Sequence, residues 1–389
     1  MGEKINILVF TGNRAEYGLL YPILYNLKLD KTYRVSLMIS GSHTTELFGS
    51  TLDEIDKNGF ESIEIIDLGD FTSFNNINTI KVISKIIETS SAVFNNIKPD
   101  IVLVAGDRYE TYAVVTSAFY NNIPIAHFFG GDLSQGGHLD DSARHAITKL
   151  SHLHFATNED SYNRIIKLGE EEWRVFNVGS TFVENILRND YSTPEELKND
   201  LNIDLEKKIV LFTQHPLTTE PQKAYDQIKI SLQVLADLGI QSIITYPCND
   251  NGSEQMIKAI NEFSNVSHFR IVKSLGMKKY LGCMSIASCV AGNSSSALTE
   301  SIPFGIPCVN IGKRQEGRLQ SENVLNVEQD YIQIKKAIQK ALYDEEFISI
   351  ARNCHNPYGD GKTSIKIVEL IKILMSDKKQ SLLKKRMTY

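Results

Sequence analysis

Cysteine is scarce in this 389-residue chain and shows no pairing pattern. There are five, Cys248, Cys283, Cys289, Cys308 and Cys354, an odd number with no C-x-x-C spacing. That argues against a disulfide framework or a redox dithiol. Cys283, Cys289 and Cys308 sit among apolar residues and read as small buried hydrophobes in a reducing cytoplasm. No apolar run approaches the roughly 20 residues that cross a bilayer, and no secretory segment precedes the first strand; we therefore expect a cytoplasmic protein with no membrane partner. Basic excess is also missing. Lys and Arg number 41 against 47 Asp and Glu, a net charge of −6 that predicts no nucleic-acid partner. The single basic run, "KKQSLLKKR" near the C-terminus, reads as a solvated tail.

Several catalytic signatures are absent too. There is no G-x-x-x-x-G-K-[ST], no G-x-G-x-x-G after the first strand, no H-E-x-x-H and no G-x-S-x-G. A P-loop kinase, a dinucleotide enzyme, a zinc protease and an α/β-hydrolase all lose ground, and neither metal nor cofactor is expected.

What the chain does hold is a hydrophobic fraction of 42% and a charged fraction of 23%, the balance of a globular protein. Short β-branched runs alternate with amphipathic segments of helical period, which predicts an α/β protein with parallel sheets. "INILVF", "RVSLMIS", "SIEIIDL", "DIVLVAG", "IPIAHFF" and "RVFNVG" are strands of a first domain, residues 1–189. "KIVLFTQ", "QSIITYP", "FRIVKS", "SIASCVAG" and "IPCVNIG" are strands of a second, 190–362. The polar stretch 190–204 reads as the inter-domain connection. An apolar helix at 363–380 is expected to pack back on the first domain. The fold class expected is two Rossmann-like, doubly wound domains with a cleft between the carboxyl ends of their sheets.

Ligands of open α/β sheets bind at those carboxyl ends, so the polar residues there are the candidates. "TGNRAEYG" offers Arg14 and Glu16, the latter as a loop brace, and "GSH" offers His43. "AGDRYET" places Asp107 and Arg108 directly after a buried strand. "GGDLSQGGHLDDSARHAITK" brings Asp132, Asp140, Asp141 and Arg144 between a strand and a helix. In the second domain "TQHPLTT" presents His215 ahead of a proline, in extended geometry suited to an acid or base. Asp250 follows another strand. "AGNSSSALTE" gives Asn293, Ser294 and Ser295 at a helix start suited to a diphosphate, with Glu300 placed for ribose hydroxyls. Arg314 and Arg318 are basic counter-charges in an acidic protein.

Together these motifs run in register over nearly the whole chain, which closely resembles the hydrolysing UDP-N-acetylglucosamine 2-epimerases of sialic- and legionaminic-acid pathways. The resemblance implies two Rossmann-like lobes in the glycosyltransferase-B arrangement, no cofactor or metal, a UDP-sugar substrate, and a homodimer or homotetramer. It further implies elimination of UDP to a 2-acetamidoglycal, followed by hydration to a free sugar of manno configuration. By matched position it implies acid/base and substrate-contact roles for Asp107, Asp140 and His215, a diphosphate contact for Arg14, and nucleotide contacts for Ser294, Ser295, Glu300 and Arg318. The chain departs from the family at H-x-E-G-G, here "HFFGG" with Phe129 in the glutamate's place, which leaves Asp132 as a substitute carboxylate or Asp107 and Asp140 sufficient. It departs again at "GSTFVE", where Thr181 and Glu184 replace proline and aspartate. UDP-N-acetylglucosamine is the expected substrate, with the UDP-2,4-diacetamido-2,4,6-trideoxy sugar as alternative. A glycosyltransferase of the same fold is the alternative of another class.

Overall fold

The computed structural model describes residues 4–44, 52, 55, 59–68, 76–133, 139–217, 220–247, 252–377 and 379–388, with the side chains of Arg14, Ala15, Ser42 and residues 76–78, 139–140 and 379–380 outside the description. The chain divides into two compact units. Unit 1 comprises residues 1–184 and 358–389, and unit 2 residues 185–357.

Unit 1 runs β1 (Ile5–Thr11), α1 (Arg14–Leu29), β2 (Tyr33–Ile39), β3 (Ser62–Ile65), α2 (Asn76–Ile97), β4 (Ile101–Ala105), α3 (Tyr109–Tyr120), β5 (Ile125–Phe128), α4 (Leu139–Leu150), β6 (Leu153–Ala156), α5 (Glu159–Lys167), β7 (Val175–Asn177) and α6 (Thr181–Leu187), the last carrying the chain over the division. Its seven strands are all parallel, in the order β3-β2-β1-β4-β5-β6-β7. Alternate residues of β1 serve opposite faces. Ile7 and Val9 join a core with Leu20, Ile23, Leu24 and Leu27 of α1, while Leu8 and Phe10 join one with Val114 and Val115 of α3. A parallel strand covered on both sides needs such a continuous apolar run.

Unit 2 contains α7 (Pro194–Leu201), β8 (Ile209–Thr213), α8 (Ala224–Leu238), β9 (Gln241–Thr245), α9 (Ser253–Glu262), β10 (Phe269–Val272), α10 (Gly276–Ile286), β11 (Cys289–Gly292), α11 (Ser295–Thr299), β12 (Cys308–Ile311), β13 (Val324–Val327), α12 (Tyr331–Tyr343) and α13 (Glu345–Asn353). Its strands pair in parallel as β10-β9-β8-β11-β12-β13. Each sheet therefore reverses its order once, at β1/β4 and at β8/β11, the points where an open sheet receives ligand.

The stretch expected as a connection is part of unit 2. A capping box at Thr193 and Glu196 starts α7, and Leu197 is buried beside Cys283 and Met284 of α10. The chain then returns to unit 1 through α14 (Thr363–Asp377) and α15 (Lys379–Leu382). Ile367, Ile371, Leu374 and Met375 of α14 complete the core over α1, and the Tyr33 hydroxyl donates to Val368 O at 2.5 Å. Glu184, one of the two family departures in "GSTFVE", takes a structural place. Its carboxylate accepts the Ser364 N–H at 3.0 Å and the Ser364 hydroxyl at 2.5 Å, anchoring the start of α14.

The basic run is solvated only in part: Lys384 and Arg386 are exposed as expected, but two of its residues turn inward. Leu382 is fully buried, and Lys385 reaches Glu170 at 2.7 Å. Among the described residues no helix is long and apolar enough to cross a membrane.

Candidate active site

At the β1 end, Asn13 caps α1 by accepting the Glu16 N–H at 2.9 Å. Glu16 folds back to accept the Gly12 N–H at 2.8 Å and the Thr111 hydroxyl at 3.2 Å, which knots the turn as a brace. Burial, with Glu110 close by, pushes the Glu16 carboxyl up to about 7. Arg14 opens α1, and its side chain lies outside the description. His43, expected at the substrate, is 1% exposed. Its Nε2 lies 3.1 Å from the Thr11 hydroxyl, which is itself 3.2 Å from Asn13 O. Burial lowers its pKa to about 4, and the neutral ring supports the β1 turn from behind.

Asp107 follows β4, and here the first domain's candidates converge. Arg144, itself buried, donates to the Asp107 carboxylate through Nη2 and through Nη1 to Asp132 O at 2.6 Å and Asp141 Oδ1 at 2.9 Å. The guanidinium fork thus joins the β4 end, the β5 loop and the first turn of α4. Arg144, a candidate substrate contact, directs Nη1 and Nη2 to these protein acceptors, Asp107 among them. Asp141, overlooked as a ligand of Arg144, was legible as an i,i+3 pair on a helix. Arg108 lies 3.4 Å from Glu110 Oε2 and over the Tyr109 ring.

Asp132 faces the β6 end. Its Oδ1 accepts the hydroxyls of Thr157, at 3.0 Å, and Ser161. The side chain of Asp140 is outside the description. His127, at the end of β5, donates from Nε2 to Gly106 O at 2.8 Å and has the Thr148 hydroxyl 3.2 Å from Nδ1. Burial lowers it to about 3, so it is a neutral structural link between β4, β5 and α4. Phe129 has φ 68, a left-handed conformation that a bulky residue rarely adopts, and its ring meets Phe128 edge-on at 4.5 Å.

In unit 2 the β8/β11 switch point is built around Asn293. Its Oδ1 accepts the His215 N–H at 2.6 Å, and its Nδ2 donates to His215 O at 2.9 Å. One amide therefore clasps both backbone groups of the histidine. Asn293 O in turn accepts from Arg314 Nη1 at 3.1 Å and Gln315 Nε2 at 2.8 Å. Gln315, 3% exposed, was not anticipated, since nothing local marks a glutamine that bonds over 22 residues. The close approach of β11 to β8 requires Gly292. A Cβ there would lie 1.9 Å from Thr213 O, and φ is +126. Ser294 is the N-cap of α11 and its hydroxyl meets that of Ser296 at 3.0 Å, Ser295 begins the helix, and the Tyr280 hydroxyl closes on Ser296 at 2.8 Å. Glu300 ends the helix, its carboxyl pushed up to about 7 by burial. Arg318 lines a polar pocket of about 460 Å³ with Asn310, Lys313, Gln320, Asn326 and Glu328, at the ends of β12 and β13. Asp250 lies outside the described residues.

Among the described residues no cluster of three or more His, Cys, Asp and Glu is placed to hold a metal ion.

A family model described as UDP-N-acetylglucosamine 2-epimerase matches residues 26–372. The chain is 33% identical to a UDP-N,N'-diacetylbacillosamine 2-epimerase (hydrolyzing) of Legionella pneumophila, over 95% of this chain and 96% of that protein. It is 36% identical to a GDP/UDP-N,N'-diacetylbacillosamine 2-epimerase (hydrolyzing) of Campylobacter jejuni, over 84% of this chain and 85% of that one. Among solved structures, it superposes on the UDP-GlcNAc 2-epimerase of Neisseria meningitidis bound to UDP-GlcNAc with a TM-score of 0.79 at 22% identity, covering 95% of this chain and 100% of the other.

Proposed function

The chain belongs to the UDP-N-acetylglucosamine 2-epimerase family, and from that premise we propose that this hydrolysing UDP-sugar 2-epimerase acts on a UDP-2,4-diacetamido-2,4,6-trideoxyglucose. The observation that carries the reading is that two relatives at 33% and 36% identity are both named for the diacetamido trideoxy sugar, N,N'-diacetylbacillosamine. Phe129, partly buried where a glutamate stands in the family pattern, supports it, because a 6-deoxy sugar offers a methyl group in place of a hydroxyl; Phe128 is fully buried in the core. UDP-N-acetylglucosamine, giving N-acetylmannosamine, is the second reading, favoured by the description of the matching family model.

In either case a base takes the C2 proton while the C1–O bond breaks and its electron pair leaves with UDP. Water then adds across the resulting glycal, hydroxyl to C1 and proton to the opposite face of C2, and the free 2-epimer is released. Asp107 and Asp140 carry the proton transfers on unit 1, with Asp107 oriented by Arg144. Asp132 shapes the loop through its hydroxyl contacts and its carbonyl on Arg144. On unit 2, His215 serves as acid or base, and the 293–296 turn takes the diphosphate with its backbone N–H groups and serine hydroxyls. Arg14, Arg108 and Arg314 add positive charge to the leaving group, and Glu300 accepts from ribose hydroxyls. The enzyme works in the cytoplasm as a homodimer or homotetramer, a state that light scattering would measure.

The test is incubation with each UDP-sugar in D2O, followed by NMR. The expected products are UDP and a free manno-configured sugar carrying deuterium at C2, formed more efficiently from the trideoxy substrate. UDP release without C2 deuterium would overturn the elimination route. A higher kcat/KM on UDP-N-acetylglucosamine would transfer the assignment to the second reading.

A further inference from the structure

The chain's last described residues are tied to unit 1 by a set of bonds that do not involve the sheet. Arg174, itself fully buried, donates to Leu382 O at 2.8 Å and to Ser381 O and Lys384 O at 3.2 Å each. The Thr388 N–H donates to Gly169 O at 3.0 Å, and its hydroxyl to Glu170 O at 3.1 Å. Between these anchors Lys385 turns inward. Its ammonium donates to Lys149 O and Ser151 O at 2.6 Å each, approaches Thr148 O at 3.4 Å, and pairs with Glu170 at 2.7 Å. These carbonyls belong to the C-terminal end of α4, where helix geometry leaves acceptors unpaired and the dipole favours a cation. The first turn of the same helix carries Asp141 and Arg144, the residues that hold Asp107. Thr148 links the two ends, its hydroxyl 3.0 Å from Arg144 O.

We propose that Lys385 is a positioning residue for the reaction: by capping α4 from its C-terminal end it fixes the axial position at which the helix presents Arg144 to Asp107. This rests on the catalytic reading of Asp107 given above.

The groups facing Lys385 are Glu170, Lys149 of α4, His154 of β6, His152, Arg174 and, more remotely, His127 of β5. Burial lowers the lysine to about 8 although Glu170 opposes the change. The three histidines are neutral, lowered by burial to between about 3 and about 4. Burial alone would raise Glu170, but the His154 N–H and the two lysines hold it down to about 2. Near pH 8 the histidines are already neutral and Glu170 is ionised, so it is Lys385 that changes charge there: the ammonium cap is present below that pH and lost above it.

The experiment uses the full chain as wild type, Lys385→Met and Lys385→Arg. At pH 7, Lys385→Met should speed amide hydrogen exchange in residues 144–151 by about tenfold while β8–β13 stay unchanged. Its kcat should fall by about tenfold with KM within about twofold, as expected when a catalytic group is misplaced and binding is kept. Wild-type kcat should decline above pH 8, and Lys385→Arg should retain it to higher pH. Wild type at pH 9.5, corrected for intrinsic exchange, should show the same loosening of residues 144–151 without any substitution. Unchanged α4 exchange in Lys385→Met and in wild type at pH 9.5 would overturn the proposal, as would a loss confined to KM. If wild type turns over neither UDP-sugar, the functional reading fails, and the exchange measurements still decide whether Lys385 holds the helix.

Discussion

Replacing Glu16 by Gln should change how the stability of unit 1 depends on pH. The carboxyl is 5% exposed and shares its surroundings with Glu110, and the Gly12 N–H and Thr111 hydroxyl only partly offset the penalty. Unfolded, it titrates near 4.5; folded, near 7. Across that window the native protein keeps a proton that the unfolded chain has released, so this group's contribution to stability falls as pH rises. The difference amounts to about 3 kcal/mol once pH passes 7, at about 1.4 kcal/mol per pH unit. Gln mimics the protonated acid and never pays the ionisation cost. Glu16→Gln should therefore match wild type at pH 4.5–5 and exceed it by about 2–3 kcal/mol at pH 8.5. Urea unfolding followed by tryptophan fluorescence is the assay, since the sole tryptophan, Trp173, lies in unit 1 and reports that unit alone. A stability gap that stays constant from pH 5 to 8.5 would refute the reasoning.

Asp107→Asn should lower turnover by about 10²–10⁴-fold while Trp173 fluorescence remains native, the loss typical of an acid/base group; wild-type rates would remove Asp107 from the chemistry. Asn293→Ala removes the amide that clasps both backbone groups of His215 and should cost unit 2 about 2–4 kcal/mol, read by calorimetry as a lower melting temperature, with a matching fall in kcat. Gly292→Ala places a methyl group against Thr213 O at positive φ and should be more damaging still, with unit 2 failing to give a cooperative melt.

The strands and helices that could be read from the sequence are those whose period is local and whose faces are both covered, such as β1 and β4. β13 was hidden. "VLNV" is half-exposed at the sheet edge with Asn326 in its middle, so neither apolar run nor clean alternation marks it among polar neighbours. At the site, Asp107 and Asn293 were visible as residues of interest because they follow buried strands, and Arg144 because it lies in the helix opened by a glycine- and aspartate-rich loop. Their partners were not visible. The Asn293 amide serves a backbone 78 positions earlier, and Arg144 reaches 37 positions back. The lysine run misled for a related reason. A charge run is ordinarily hydrated, and only the fold discloses that helix carbonyls and a buried glutamate await one of its ammonium groups. Phe129 illustrates a third limit, since a left-handed backbone at a phenylalanine has no composition signal.

Unit 2 is an insertion within unit 1, and the chain leaves and re-enters at neighbouring places, with the Ser180 N–H on Tyr358 O at 2.7 Å. This orders events during synthesis. All seven strands of unit 1 have been made once Asn177 is added, yet α14, which closes the core over α1, follows roughly 170 inserted residues later. At about 5–20 residues per second the ribosome takes roughly 10–35 s to cross the insert, ample time for unit 2 to fold first. Throughout that interval the face of α1 that packs on α14 waits uncovered, so the first domain begun is the last completed, and the nascent chain offers a chaperone a defined binding window.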